Sequence, residues 1–153
     1  MNYGNGGQTY DERNSNPINL GEELFIEWAK EKCSFFTRLG FDEKNSNVDF
    51  FFKLNPLLRN LPDFLIIQNN KIFLVNVKGT ANIKKKEIDI LPKIIEAYTT
   101  DEAPLVYAFC FRNTYPIFIT TQRLFELFEE AVDKSWDDGV VYRTINITHN
   151  SKK

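Results

Sequence analysis

Residues 62–78 read PDFLIIQNNKIFLVNVK, and this stretch decides the fold because it predicts a β-hairpin. Two runs over 64–67 and 72–77 are rich in β-branched and aromatic residues, and the polar residues 68–71 between them favour a turn. Both runs are apolar at successive positions, so we expect the hairpin to lie in the middle of a sheet that is covered on each side.

The register of this hairpin is expected to bring polar side chains together at its open end. A turn at 69–70 places Asp63 directly opposite Asn76, and directly opposed residues project to the same face. Lys78 shares that face because it lies two residues beyond Asn76. Toward the turn, the same face is expected to continue as the core residues Leu65, Ile67, Ile72 and Leu74.

The rest of the chain predicts helices and strands in one domain. In order we expect a helix over 21–38, strands over 48–54, 64–67 and 72–77, a helix over 92–98, strands over 105–111 and 116–120, a helix over 121–132 and an edge strand over 140–147. Gly40 is expected to stop the first helix, and Pro92 to occupy the first position of the second. Residues 84–90 are charged and fit neither pattern.

Composition sets the domain organisation. The chain has 153 residues, of which 42% are hydrophobic and 26% charged, values typical of one globular domain. Residues 1–19 are rich in Asn and Gly and predict a flexible arm, 20–147 a single domain, and 148–153 a disordered tail. No run approaches the roughly 18 apolar residues of a membrane span, so a membrane partner is not expected.

Charge and rare residues exclude several classes of function. The net charge of −2 excludes a uniformly basic nucleic-acid coat protein but leaves room for a local basic patch. Cys33 and Cys110 lie far apart in the sequence, which indicates reduced thiols and a cytoplasmic location. The only histidine, His149, lies in the polar tail, so chemistry with a histidine base or histidine metal ligands is not expected.

The hairpin motif resembles that of the PD-(D/E)XK nuclease superfamily. Pro62 and Asp63 match its PD, and Asn76-Val77-Lys78 occupies the position of its (D/E)XK. The resemblance covers roughly residues 20–130 and implies an α/β, restriction-endonuclease-like fold. Such a fold has a central mixed sheet of about five strands flanked by helices on both faces.

The resemblance implies a metal site for Mg²⁺ or Mn²⁺. Its ligands would be Asp63, Asn76, the backbone carbonyl of Val77 and an acid from the first helix, for which Glu22 fits best because it heads the apolar stripe. Glu22 and its neighbour Glu23 could instead only complement the dipole of that helix.

Asn76 departs from the family pattern, which has Asp or Glu at this position. A neutral amide is a weaker ligand for Mg²⁺ than a carboxylate. Three explanations stay open: a natural weak enzyme, a natural binder that does not cleave, or an inactivating Asp→Asn substitution.

Lysines supply the remaining expectations. The resemblance gives Lys78 the role of orienting or activating the attacking water; the alternative is a lysine that leaves its strand for solvent. The run after the motif could contact phosphates or form a solvated face. The candidate nucleic-acid contacts are Lys84, Lys85, Lys86, Lys93 and Arg112.

Taken together, the sequence predicts a Mg²⁺-dependent endonuclease domain with Glu22, Asp63, Asn76 and Lys78 as its catalytic residues. DNA is the expected target, RNA stays open, and a homodimer or a larger nuclease complex is the expected assembly. The alternatives are a binding or scaffold module that keeps the fold without cleaving, and an unrelated α/β protein in which the motif residues coincide by chance.

Overall fold

A computed structural model describes residues 20–40 and 53–147. The predicted arm over 1–19, the predicted tail over 148–153 and positions 48–52 of the predicted strand 48–54 lie outside these residues. The remaining part of that strand, Lys53 and Leu54, is not in a strand, so this end of the prediction is wrong. No helix within the described ranges is both long and apolar enough to cross a membrane.

The described part of the chain is a mixed α/β structure with two sheets. Its elements are α1 (Leu20–Lys32), β1 (Phe35–Arg38), α2 (Pro56–Arg59), β2 (Phe64–Gln68), β3 (Lys71–Lys78), β4 (Asn82–Lys84), α3 (Lys85–Tyr98), β5 (Leu105–Phe109), β6 (Ile117–Thr120), α4 (Thr121–Glu130), β7 (Lys134–Ser135) and β8 (Val141–Thr144). The larger sheet has the order β1-β2-β3-β5-β6, with β3 and β5 parallel and the other neighbours antiparallel. The smaller sheet has the order β4-β8-β7.

The hairpin of β2 and β3 forms in the predicted register. Asn69 and Asn70 have φ angles of 52° and 62°, the left-handed pair of a two-residue hairpin turn. β2 and β3 are the second and third strands of the larger sheet, which confirms their central place. Of the four residues predicted to form core on this face, Leu74 is buried, whereas Leu65 and Ile67 are only partly buried. Ile72 is 37% exposed near the turn, where β5 has not yet begun to pair, so this part of the prediction is wrong.

The first helix is shorter than predicted. α1 ends at Lys32 instead of continuing to 38, and β1 follows it as an edge strand paired with β2. The Ser34 N–H donates to the carbonyl of Ile67 at 2.9 Å and begins that pairing. Two phenylalanines and a threonine favour a strand once a partner edge is present, so tertiary pairing overrides the helical spacing.

Gly40 does not stop a helix, in contrast to the prediction. A Cβ at this position would lie 3.2 Å from the carbonyl oxygen of Pro62, a contact that is too tight without a shift of the backbone. The N–H groups of Leu39 and Gly40 donate to the carbonyl of Asp63 at 2.9 and 3.4 Å. Gly40 therefore allows the end of β1 to approach the Pro62-Asp63 segment closely.

The second helix is longer than predicted. α3 begins at Lys85, so Pro92 lies in its interior and not at its first position. A proline there removes one helical N–H, yet the helix persists because its apolar stripe is buried through Leu91 and Ile94. Packing of this stripe outweighs the local preference on which the prediction rested.

The C-terminal elements were predicted correctly except for the last strand. β5, β6 and α4 lie within a few residues of their predicted bounds. β8, however, is the central strand of the smaller sheet and not an edge strand of the larger one. Its partners β4 and β7 contain three and two residues, too few to show an alternating pattern.

Two clusters of buried residues divide the side chains of β3. One cluster contains Leu74 together with Leu91 and Ile94 of α3 and Leu124 of α4. The other contains Val75 and Val77 together with Phe25 and Ala29 of α1. Since side chains alternate along a strand, Asn76 and Lys78 lie on the same face as Leu74.

Candidate active site

Asp63 and Asn76 meet at the open end of the hairpin. Phe64 pairs with Val75, so the next residues outward, Asp63 and Asn76, lie opposite each other as predicted. The Asp63 N–H donates to Oδ1 of Asn76 at 3.3 Å, and the Val77 N–H donates to Oδ2 of Asp63 at 2.8 Å. Beyond the end of β2, the carboxylate of Asp63 therefore accepts the hydrogen bond from the Val77 N–H that a backbone carbonyl would accept within the sheet.

The environment of Asp63 disfavours its charge. The pKa of Asp63 is raised from 3.8 to about 6, above all by burial and in addition by the nearby carboxylates of Glu22 and Glu87. The Val77 N–H and the ammonium of Lys78 act in the opposite direction without cancelling the rise. A partly buried acid that lines a cleft and has a strongly shifted pKa is a physical indication of a functional site.

Lys78 is held by Glu87, which is held in turn by Tyr107; the sequence singled out neither residue. Nζ of Lys78 donates to Oε1 of Glu87 at 2.6 Å, and the hydroxyl of Tyr107 donates to Oε2 of the same carboxylate at 2.7 Å. Burial above all, and then the charge of Glu87, raises the pKa of Tyr107 well above its usual value, so Tyr107 acts as a neutral donor. The structure thus adds Glu87 and Tyr107 to the site.

A sequence signal existed for Glu87 but not for Tyr107. Glu87 lies four residues before Leu91 and seven before Ile94, so it heads the buried stripe of α3 once that helix is known to begin at Lys85. Tyr107 lies beside Asn76 because β5 runs parallel to β3, and no local pattern fixes that register.

Glu22 lies at the margin of the site. It is partly buried near the start of α1, and its carboxylate forms an ion pair with Arg38 at the end of β1. The Arg38 guanidinium lies 5.0 Å from the centre of the Phe64 ring. Glu22 is close enough to raise the pKa of Asp63, but it is not among the residues that line the cleft.

A cleft of about 790 Å³ opens over these groups. Asp63, Asn76, Lys78, Glu87 and Tyr107 all line it, which brings the predicted and the added residues to one surface. Among the candidate nucleic-acid contacts, Lys84 and Lys86 line this cleft, together with Arg59 of α2. The other candidates, Lys85, Lys93 and Arg112, are exposed on the surface outside its lining.

The oxygen donors of the cleft suit a hard cation. No group of three or more His, Cys, Asp or Glu that could hold a metal ion occurs among the residues described. Asp63 and Glu87 nevertheless offer two carboxylates, and Asn76 an amide oxygen. Burial is the main cause of the raised pKa of Asp63, and the charges of Glu22 and Glu87 add to it, so these carboxylates repel one another.

Comparisons of this chain with protein-family models, with curated proteins and with solved structures find no match.

Proposed function

We propose that this protein is a metal-dependent nuclease-like domain that acts on phosphodiester bonds of DNA. The observation that carries the proposal is the position of Asp63, which lies beside Asn76 and Lys78 in a cleft that also contains Lys84 and Lys86. Acidic and amide oxygens next to lysines are the groups that hold a divalent cation and a phosphate together.

The proposal includes a restriction-endonuclease-like fold with helices on both faces of the larger sheet. It is supported by the order of the five strands, with a parallel β3–β5 pair beside antiparallel neighbours. It is also supported by the two core clusters, since α1 contributes to one and both α3 and α4 to the other.

The residues of the cleft would have different roles in hydrolysis. Asp63, Asn76 and the Val77 carbonyl would hold Mg²⁺ or Mn²⁺, which when bound neutralises charge on the scissile phosphate and lowers the pKa of a bound water. Lys78 is fixed by Glu87, and this ion pair directs its ammonium into the cleft where the attacking water would lie. Lys84 and Lys86 would bind the flanking phosphates.

Glu87 gives the proposal a second acid inside the cleft. Asn76 is neutral, and Glu22 pairs with Arg38 at the margin. Asp138 also lines the cleft, but it is exposed in the turn between β7 and β8, whereas Glu87 is partly buried and bonded to Lys78. The two oxygens of Glu87 receive Lys78 and Tyr107, which orients the carboxylate rigidly. We assign Glu87 the role of positioning Lys78 and of supplementing the negative field at the metal position.

A binding module without cleavage is the second candidate, and the hydrogen bonds of the motif favour it. Asn76 Oδ1 receives the Asp63 N–H, and Lys78 is paired with Glu87. Polar groups that satisfy one another in this way stabilise a surface without chemistry. This candidate keeps the lysines of the cleft as phosphate contacts and dispenses with the metal.

The Asn76→Asp variant separates the two candidates. We expect it to increase Mg²⁺-dependent cleavage of plasmid and junction DNA on the order of a hundredfold, because a carboxylate adds one negative ligand to the cation. Its melting temperature should also rise more with Mn²⁺ than that of the parent. Adding Lys78→Ala should abolish the gained cleavage and leave the metal-linked stabilisation in place.

Asn70→Asp is the matched control, because it makes the same change of charge at the turn end of the same hairpin. It should alter neither cleavage nor the response to metal. If Asn76→Asp neither cleaves nor gains metal-linked stability, the nuclease proposal fails and the binding module replaces it.

A further inference from the structure

The smaller sheet has one buried and one solvated face. Ile83 of β4 is fully buried, and Arg143 of β8 lies with its guanidinium 4.4 Å from the centre of the Phe128 ring. On the alternate positions, Tyr142 pairs with Lys84 on one side and with Lys134 on the other. The outward face therefore carries a tyrosine between two lysines.

An aromatic pair extends this outward face. The rings of Trp136 and Tyr142 stack with their centres 4.1 Å apart and their planes within 13°. Trp136 is 37% exposed, and Nζ of Lys84 lies 6.0 Å from the centre of its ring. We call Trp136 and Tyr142, with Lys84 and Lys134 beside them, the aromatic platform.

The aromatic platform adjoins the cleft of Asp63. Lys84 belongs to both, and Val140, whose carbonyl accepts from the Trp136 N–H at 3.1 Å, also lines the cleft. Because the platform and the cleft are adjacent, one single-stranded segment of nucleic acid could contact both the rings and the candidate site.

We propose that the aromatic platform binds a single-stranded segment of nucleic acid and directs it into the cleft. Trp136 is exposed, is stacked on Tyr142 and lies beside lysines, and this arrangement matches a base stacked on an aromatic ring with its phosphates on ammonium groups. A duplex keeps the faces of its bases stacked on one another and offers none to the rings along its length. This inference rests on the proposed function, because it names the substrate form for the same cleft.

Acidic residues near the aromatic platform determine on which side the nucleic-acid backbone should lie. Asp137 and Asp138 lie at the turn between β7 and β8 and are both exposed, and Asp138 also lines the cleft. Their charges repel phosphates, so the backbone of the strand should run on the Lys84 side, toward Lys86 in the cleft.

Binding is measured without divalent metal, so that cleavage plays no part. The probes are a fluorescently labelled oligothymidylate and the same oligonucleotide annealed to oligodeoxyadenylate. We expect the single strand to bind more tightly, and Trp136→Leu to weaken its binding by about tenfold or more, the size expected for loss of one base stack. Tyr142→Leu should weaken binding less, because the partly exposed Tyr142 ring supports Trp136. Leucine keeps apolar bulk on the sheet and removes the flat ring.

Direct contact is tested by fluorescence in a Trp28→Phe background, where Trp136 is the only tryptophan of the chain. Oligothymidylate should quench this fluorescence, and the duplex should not. Phe35→Ala is the matched control: Phe35 is 49% exposed and pairs with Ile67 near the turn of the hairpin, away from Asp63, so its loss should leave binding unchanged.

The outcomes separate this inference from the proposed function. If Trp136→Leu loses single-strand binding while Asn76→Asp shows no cleavage, the aromatic platform stands and the protein is a binding module. If Asn76→Asp cleaves but Trp136→Leu binds single strands as well as the parent, the nuclease stands and the platform is overturned. Equal affinity of the parent for single strand and duplex also overturns it.

Discussion

The pKa of an aspartate is raised at the larger sheet and lowered at the smaller one. Asp63 lies at the end of the larger sheet, where burial raises its pKa to about 6. Asp133 lies next to the smaller sheet, where a hydrogen bond from the Arg143 side chain lowers its pKa. The first acid is partly buried near other carboxylates, and the second is exposed and paired with a cation.

This difference follows from how the side chains of each sheet are packed. The larger sheet contributes side chains from alternate positions of β3 to two buried clusters, so polar groups at its strand ends are drawn away from solvent. The smaller sheet buries Ile83 but exposes Lys84 one residue later. Burial of the surrounding face, rather than residue type, therefore decides which polar groups acquire unusual chemistry.

The largest expected effect comes from truncating the buried side chains of either sheet. Ile66 of β2 is 1% exposed and Ile83 of β4 is 0% exposed, so Ile66→Ala and Ile83→Ala should each lower the free energy of unfolding by about 2–5 kcal/mol. Lys134→Ala on the solvated face should change it by less than about 0.5 kcal/mol. Urea denaturation followed by circular dichroism measures all three.

The expectation that both substitutions have similarly large effects fails if the smaller sheet unfolds separately. A small effect of Ile83→Ala, or a second transition seen in that variant alone, would show that the two sheets do not share one cooperative core.

A smaller effect is expected from removing the charge of Asp63. Its folded pKa of about 6 exceeds the ordinary 3.8, so ionisation costs stability that is lost as the pH rises through this window. Asp63→Asn should therefore be more stable than the parent by about 2–3 kcal/mol at pH 7, and the two should converge near pH 4. Melting curves across this pH range provide the measurement.

Asp89→Asn on the exposed side of α3 is the control for this prediction, because it removes one carboxylate without removing buried charge. Its stability should follow that of the parent at each pH. A pH-independent difference between Asp63→Asn and the parent would contradict the buried-charge account.

The smallest expected effect distinguishes a partly buried ion pair from an exposed one. Glu87→Gln should cost about 1 kcal/mol because Lys78 and Glu87 are only 26% and 22% exposed, whereas Glu126→Gln, in the exposed pair with Arg123, should cost a few tenths. Loss of the Glu87 charge should also lower the pKa of Asp63, which carboxyl NMR titration can follow. An unchanged pKa of Asp63 would show that the two acids do not interact.

The candidate site was partly predictable because half of it is local. The turn at 69–70 and the two-residue period of a strand place Asp63 opposite Asn76 and Lys78 on the same face, with few residues between them. Glu87 and Tyr107 were missed, since one depends on where α3 begins and the other on a parallel pairing formed only after the chain crosses over.

The same distinction holds for the fold. The sequence alone determined the hairpin, β5, β6 and α4, whose patterns arise from neighbouring residues. Only the tertiary structure decided that 35–38 is a strand, that α3 continues through Pro92 and that three short segments form a second sheet. In each of these cases the stabilising partner is distant in the chain, so burial and pairing with that partner outweigh the local preference.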